Sequence, residues 1–198
     1  MELLKQRILT DGQILPGHIL KVDSFLNHQM DPALLASIGR VFAERFAGAA
    51  VTKILTVESS GIAPAVFTGL ALGVPVLCAK KTAAGNMDAD TYATDIYSFT
   101  RRQHCTIRVS RRFLHACDQV LIIDDFLARG QAVLGLTELI NQAGATLCGV
   151  GIVIEKAFQE GGGLLRQKGI RVESLAIIKE MSEGQLTFFE SEDHKEVL

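Results

Sequence analysis

A chain of 198 residues is long enough for one large domain, and its 48% hydrophobic and 21% charged residues are typical of a soluble globular protein. The net charge of -2, without a block of basic residues, argues against nonspecific nucleic-acid binding as the main task. The sequence has no apolar run of membrane-spanning length and no signal-peptide core at its N-terminus, so we expect a cytoplasmic protein that does not enter a membrane.

The N-terminal part of the chain predicts two helices separated by an irregular stretch. Apolar residues at helical spacing indicate a helix over residues 2–11, which ends at Asp11-Gly12. Residues 19–26 alternate loosely and favour a short strand that leads into a loop. Asp31-Pro32 is typical of an N-cap followed by proline in the first helical turn, so we expect a second helix that ends near Gly48.

A strand–loop–helix pattern then repeats along the chain. We expect strands and helices at the following residues: strands 53–57, 74–79, 120–123 and 147–154, and helices 62–72 and 131–142. Strands that alternate with helices of this length indicate βαβ units. The predicted fold class is therefore α/β, with a parallel β-sheet core and flanking helices.

A long polar segment, residues 80–118, separates two of these units. Alternating residues near 92–100 and 105–110 favour a hairpin within the segment. Long loops in a compact domain are usually functional or disordered, so we expect residues 82–100 to act as a lid over a ligand site.

The cysteines show no metal-ligand spacing, and no histidine accompanies them in a zinc-binding pattern. In a reducing cytosol we expect all four to be free thiols: Cys78, Cys105, Cys117 and Cys148. Cysteine chemistry is therefore not expected to carry the function.

Two adjacent carboxylates, Asp124 and Asp125, follow the apolar run at residues 120–123. At the carboxyl end of a parallel strand they would lie in the crevice where open α/β sheets bind ligands. The loop after them consists of Ala128, Arg129, Gly130, Gln131 and Ala132. Its small residues allow backbone amides at a helix start to surround a phosphate. For the acid pair alone, an N-cap or a salt-bridged strand end is the structural alternative.

The segment from Leu121 to Gly130 resembles the phosphoribosyl diphosphate (PRPP) binding motif of type I phosphoribosyltransferases. The resemblance implies that Asp124 and Asp125 are the catalytic acids and contact the ribose hydroxyls, while the loop of residues 128–132 holds the 5'-phosphate. Two positions depart from the family pattern. Ala132 stands where members often have threonine, whose hydroxyl helps to hold the phosphate, and Arg129 adds positive charge near it.

A second loop also follows a strand and precedes a helix, and it consists of Glu58, Ser59, Ser60 and Gly61. Its hydroxyls, its glycine and the helix N-terminus suit a diphosphate, although a simple capping turn has the same composition. In the family this is the pyrophosphate loop, and Lys80 and Lys81, which we expect just past the next strand, would supply cations for the leaving group. The alternative for both lysines is an exposed pair at the start of a loop.

Glu155 and Lys156 stand at the end of the last predicted strand. This end lies at the same edge of the sheet as the two loops described above. A lysine ammonium donates a hydrogen bond to an exocyclic carbonyl of a purine and cannot accept one from an amine, which predicts an oxo-purine rather than adenine. An exposed strand-end lysine is the alternative. Phe158 is predicted either to stack on the base or to pack in the protein.

Three further segments, residues 20–29, 56–65 and 151–156, resemble the members of the family that use xanthine in bacterial purine salvage. The resemblance implies that Leu20, Asn27 and Lys156 bind xanthine. It implies transfer of the phosphoribosyl group from PRPP to xanthine, which yields xanthosine 5'-monophosphate and pyrophosphate.

The same resemblance implies three features of organisation. Mg²⁺ would arrive with PRPP, without a dedicated metal site in the protein. A homodimer would bring the loop near Lys80 and Lys81 to the neighbouring site. The core would span about residues 31–154, and a small hood would comprise about residues 1–30 and 155–198.

Two alternatives remain open. Lys156 does not separate xanthine from hypoxanthine and guanine, because all three carry an oxygen at the matching ring position. The same fold also serves PRPP-sensing regulators that bind nucleic acid. The sequence shows neither the added DNA-binding module nor the basic charge that such a regulator would need.

Overall fold

The computed structural model describes residues 1–82, 90–98, 103–182 and 184–189. Its helices are α1 (Glu2–Asp11), α2 (Pro32–Arg45), α3 (Ile62–Leu72), α4 (Gln131–Gln142) and α5 (Gly161–Gln167). Its strands are β1 (Gln13–Leu15), β2 (Ile19–Lys21), β3 (Lys53–Val57), β4 (Val76–Thr82), β5 (Thr91–Ser98), β6 (Gln103–Ser110), β7 (Gln119–Leu127), β8 (Thr146–Lys156), β9 (Val172–Ser182) and β10 (Gln185–Phe188). The predicted α/β class is confirmed. No helix in these ranges is long and apolar enough to cross a membrane.

An eight-stranded sheet has the order β10-β9-β8-β7-β3-β4-β6-β5. Its middle strands, β9, β8, β7, β3 and β4, run parallel to one another. From β3 the chain winds outward to β4, whereas from β7 it winds in the opposite direction to β8 and β9. The loops after β3 and β7 therefore meet where the winding direction reverses, which is the usual ligand site of such sheets.

The apolar run of β7 is buried on both faces of the sheet. Leu121 and Ile123 belong to a cluster with α2, whereas Val120 and Ile122 belong to a cluster with α4. Successive strand residues point to opposite faces, so an uninterrupted apolar run is what a strand covered on both sides requires.

The start of α2 follows the sequence prediction, and the segment before it does not. The Asp31 carboxylate accepts hydrogen bonds from the amides of Ala33 (3.0 Å) and Leu34 (3.1 Å), which confirms the N-cap. The strand expected over residues 19–26 is confirmed only for Ile19–Lys21, where β2 pairs with β1. Residues Asp23–Asn27 form a π-helical turn instead.

The hairpin within the polar segment is confirmed as β5 and β6, which extend the main sheet. Because β6 pairs antiparallel with the end of β4, that strand continues to Thr82. The expected position of Lys80 and Lys81 beyond the strand is therefore wrong. The lid predicted over residues 82–100 falls partly on residues 83–89 and 99–100, outside the described residues, and residues 91–98 of it form an edge strand.

The C-terminal part of the chain also joins the main sheet, through β9 and β10. The sequence did not predict α5, which begins in the triple-glycine segment. β8 continues past residue 154 to Lys156, and the division into a core and a hood stays a prediction. All four cysteines are free thiols, as expected.

Candidate active site

Asp124 and Asp125 lie within β7, whose pairing with β8 continues to Leu127. Asp124 is buried and Asp125 is partly exposed. The Asp125 amide donates to Asp124 Oδ1 over 3.0 Å. Burial, and then the like charge of Asp125, raise the pKa of Asp124, and burial also raises the pKa of Asp125. The positive charge of Lys81 acts on both carboxyls in the opposite direction.

The loop of residues 58–61 touches this acid pair. A side chain added at Gly61 would place its Cβ 2.7 Å from Asp124 Oδ1, closer than van der Waals contact allows. Glycine is therefore the residue that lets the loop after β3 approach the acids on β7. The hydroxyl oxygen of Thr56, at the end of β3, is buried beside Gly61 without a hydrogen-bond partner among the described residues.

Glu58 connects this loop to β4 and its two lysines. Its carboxylate accepts from the Lys81 amide over 2.5 Å and lies 3.5 Å from Lys80 Nζ. The Glu58–Ser59 peptide bond is cis. Within the described residues α3 begins without a side-chain cap, so the hydroxyls of Ser59 and Ser60 are not used as the capping alternative requires.

The loop of residues 128–132 leads into α4. Gly130 adopts the left-handed conformation (φ +76°) at the N-cap, where glycine carries little strain. The amides of the first turn of α4, which begins at Gln131, have no intrahelical acceptors. Arg129 Nη1 lies 4.0 Å from Glu160 Oε1, and Ala132 packs against the core cluster that contains α4.

Lys156, at the end of β8, reaches toward the hairpin of β1 and β2. Its ammonium donates to the His18 carbonyl over 2.9 Å and lies 5.5 Å from the centre of the Phe126 ring. Burial lowers the pKa of Lys156. Phe158 is exposed and does not belong to the core, and its ring lies 5.4 Å from the His18 ring. Stacking of Phe158 on the base stays a prediction.

The two other residues expected to bind the base lie in the N-terminal segment. Leu20 is buried in β2 and belongs to a hydrophobic cluster. Asn27 ends the π-helical turn, and its side-chain oxygen is buried with no hydrogen-bond partner among the described residues. Among the described residues, no hydrogen bond links Asn27 to Lys156. The structure thus joins Asp124, Gly61, Glu58 and the β4 lysines directly. Within the described ranges, no side-chain hydrogen bond or ion pair links Leu20 or Asn27 to them.

Two contacts near the loop of residues 128–132 were not predicted. The buried Glu155 carboxylate accepts two hydrogen bonds of 2.8 Å from Arg166 on α5, and the Gly161 amide donates to the Ala128 carbonyl over 3.0 Å. A carboxylate in an otherwise apolar strand was the available signal, because a buried charge requires a partner. Nothing in the sequence names that partner.

In the part of the chain that the structure describes, no group of three His, Cys, Asp or Glu side chains is arranged to hold a metal ion.

Solved structures of similar fold include adenine phosphoribosyltransferases. The enzyme from Giardia lamblia, complexed with 9-deazaadenine, has a TM-score of 0.73 and 23% identity over 90% of this chain and 98% of its own. The enzyme from Trypanosoma brucei has a TM-score of 0.70 and 17% identity over 98% of this chain and 92% of its own. The expected type I phosphoribosyltransferase fold is thereby confirmed.

Sequence comparison places the chain more narrowly. No family model matches it. Xanthine phosphoribosyltransferase of Bacillus cytotoxicus is 52% identical over 97% of this chain and 98% of its own length. Xanthine phosphoribosyltransferase of Ruminiclostridium cellulolyticum is 54% identical over 96% of this chain and 100% of its own length. At this identity and coverage, the chain belongs to the xanthine phosphoribosyltransferase family.

Proposed function

We propose that this chain transfers the 5-phosphoribosyl group from PRPP to xanthine, releases pyrophosphate and forms xanthosine 5'-monophosphate. The observation that carries the proposal is the contact between Gly61 and Asp124, which brings the loop after β3 against β7, the strand that leads into the loop of residues 128–132. A sugar carrying a phosphate at one end and a diphosphate at the other needs two anion-binding loops beside groups that bind its hydroxyls. The named relatives, about half identical over nearly the full chain, support the same reaction.

The PRPP donor would be held by the two loops. Asp124 and Asp125 accept hydrogen bonds from the ribose hydroxyls, and the amides of residues 128–132 donate to the 5'-phosphate. The loop of residues 58–61 binds the pyrophosphate, with Lys80 and Lys81 adding positive charge. The raised pKa of Asp124 supports this role, because hydroxyl donors would stabilise a carboxylate that burial destabilises.

The purine acceptor would be held by Lys156, Asn27 and Leu20. The Lys156 ammonium uses one donor on the His18 carbonyl and retains others for an exocyclic oxygen of the base. The unpartnered Asn27 oxygen suits a ring N–H of xanthine, which also relieves the cost of a buried acceptor. Leu20 would supply apolar contact.

Catalysis would be electrostatic, without a nucleophilic side chain. As the glycosidic bond to pyrophosphate breaks, negative charge grows on the leaving group and positive charge on the ribose carbon. Amides and lysines fixed beforehand stabilise the first, and the carboxylates of β7 stabilise the second. Mg²⁺ would accompany the diphosphate, held mainly by the oxygens of PRPP and water, and would neutralise part of its charge.

One assay tests the proposal. Nucleotide formation from PRPP should be measured with xanthine, guanine, hypoxanthine and adenine in parallel. We expect the highest kcat/KM with xanthine and no product with adenine. A preference for hypoxanthine or guanine would replace xanthine as the acceptor, and no PRPP-dependent product with any base would contradict the transferase function. Light scattering of the same sample measures whether the chain forms the homodimer that the family resemblance predicts.

A further inference from the structure

The start of α5 lies directly behind the loop of residues 128–132, here called the phosphate loop. The Gly161 amide donates to the Ala128 carbonyl over 3.0 Å. A Cβ added at Gly161 would lie 2.5 Å from that carbonyl oxygen and 2.6 Å from the Gly130 nitrogen. A Cβ added at Gly130 would in turn lie 3.4 Å from Gly161 Cα. The two backbones are thus in contact, and no side chain fits between them.

The helix that carries Gly161 is itself fixed to the sheet. Arg166 donates two hydrogen bonds of 2.8 Å to the buried Glu155 carboxylate, and the Ser174 hydroxyl donates to the same group. Glu155 lies opposite Leu127 in the register of β7 and β8, immediately before the phosphate loop. A side chain at Gly162 would collide with the Glu155 carboxylate. Hydrogen bonds therefore connect α5 to both the sheet and the phosphate loop.

We infer that Gly161 is a positioning residue for the 5'-phosphate of the ribose donor. This inference rests on the proposed function. The loop grips an anion through backbone amides, and their directions are set by the conformation of residues 128–130, which Gly161 supports from behind. Such support matters here because Ala132 offers no hydroxyl to the phosphate. Displacement of donors by a fraction of an ångström is enough to weaken binding of a fixed anion.

Two glycines in the first turn of α5 provide a matched test. Gly161→Ala forces the phosphate loop to move, whereas a Cβ at Gly163 meets no atom within 4 Å, so Gly163→Ala is the control. Both changes replace glycine with alanine in the same helical turn, so their intrinsic effects on helix stability are similar. Calorimetric titration should use ribose 5-phosphate, which engages the phosphate loop, and pyrophosphate, which engages the loop of residues 58–61.

We expect Gly161→Ala to weaken ribose 5-phosphate binding at least about tenfold while pyrophosphate affinity stays within about twofold. Gly163→Ala should bind both as the wild type does. If Gly161→Ala lost affinity for both ligands equally, or bound ribose 5-phosphate as the wild type does, the inference would be overturned and the proposed function would not. A wild-type chain that binds neither ligand nor PRPP would overturn the proposed function as well.

A second variant tests the inference independently, in case Gly161→Ala does not fold. Arg166→Lys keeps the positive charge beside Glu155 but cannot form both parallel hydrogen bonds from one planar group. We expect a several-fold loss of ribose 5-phosphate affinity with pyrophosphate affinity unchanged. Affinities for both ligands equal to those of the wild type would contradict a tether that acts through α5.

Discussion

Asp118 immediately precedes β7 and Asp124 lies within that strand, and their surroundings displace their pKa values in opposite directions. Burial alone would raise the pKa of Asp118, but hydrogen bonds from Lys53 Nζ (2.7 Å) and the His115 amide (2.8 Å) outweigh it and lower the pKa. Within the strand, burial and the charge of Asp125 raise the pKa of Asp124. The carboxylate just before β7 thus stabilises the fold, whereas the one within β7 lowers its stability.

Asp124→Asn should raise thermal stability near pH 7. The raised pKa means that the folded chain binds this proton more tightly than the unfolded chain, so the ionised carboxylate destabilises the fold above that pKa. A gain of about 1 kcal/mol would increase Tm by roughly 2–4 °C in a chain of this size. Circular-dichroism melts measure it, and the gain should shrink as the pH falls through the raised pKa. A variant less stable than the wild type at pH 7 would contradict this assignment.

Asparagine at both Asp124 and Asp125 should cut turnover at least about tenfold, equivalent to about 1.4 kcal/mol in the barrier. The amides retain hydrogen-bonding ability but lose the charge that, in the proposed mechanism, stabilises a cationic ribose carbon. Initial rates with saturating PRPP and xanthine measure the effect. Wild-type rates in this double variant would refute the ribose-contact role.

Asp118→Asn should lower stability and leave turnover unchanged, the reverse of the effects expected for substitutions at Asp124. It removes the carboxylate that pairs with Lys53 and so should lower stability by about 1–3 kcal/mol, while kcat per folded molecule stays unchanged because the site lies at the other end of β7. The lowered pKa makes this stabilisation complete above the unfolded value of 3.8 and lost as the pH falls through the folded value. The difference in Tm between wild type and variant should therefore narrow only below about pH 4. A difference in Tm that stays constant down to pH 2 would exclude the charge of Asp118 as its cause.

Lys156→Ala should raise the KM for xanthine at least about tenfold and leave the KM for PRPP within about twofold, since a charged hydrogen bond is worth about 1.5–3 kcal/mol. Lys168→Ala, an exposed lysine at the end of α5, is the control. Steady-state kinetics with each substrate varied in turn separate the two constants. Equal losses for both substrates would remove Lys156 from the base site.

Arg129→Ala should raise the KM for PRPP several-fold, whereas Glu160→Gln should lower it. Arg129 Nη1 is 4.0 Å from the Glu160 carboxylate, which competes with a phosphate for the same charge. The two variants separate a phosphate contact from a surface ion pair. If Arg129 acts only through Glu160, both substitutions should change the kinetics in the same direction.

The sequence patterns predicted the elements whose signals are local. The apolar run of β7, the Asp31 N-cap and the strand and helix around residues 58–61 all lie where expected. The two lysines of β4 were misplaced because their strand is prolonged by pairing with β6, a partner distant in the chain. Local patterns carry no information about such a partner.

The site was predicted in the same uneven way. Asp124 and Gly61 were recognised from their motifs, and the structure adds that they touch. α5 was missed because three glycines have poor helix propensity. The hydrogen bonds from Arg166 to Glu155 that fix it to the sheet join residues 11 positions apart in the sequence. Backbone contacts such as that between Gly161 and Ala128 leave no side-chain pattern to recognise.

The position of β3 between β4 and β7 has a consequence for how the protein is made. β3 and β4 are synthesised before β7, so β3 lacks its second neighbour in the sheet until β7 has left the ribosome. A nascent chain therefore exposes one edge of an apolar strand, a species prone to wrong pairing. Docking of β7 covers that edge and brings Asp124 to Gly61 in the same event. Pairing of β3 with β7 and assembly of the candidate donor site therefore coincide, before β8, β9 and β10 complete the sheet.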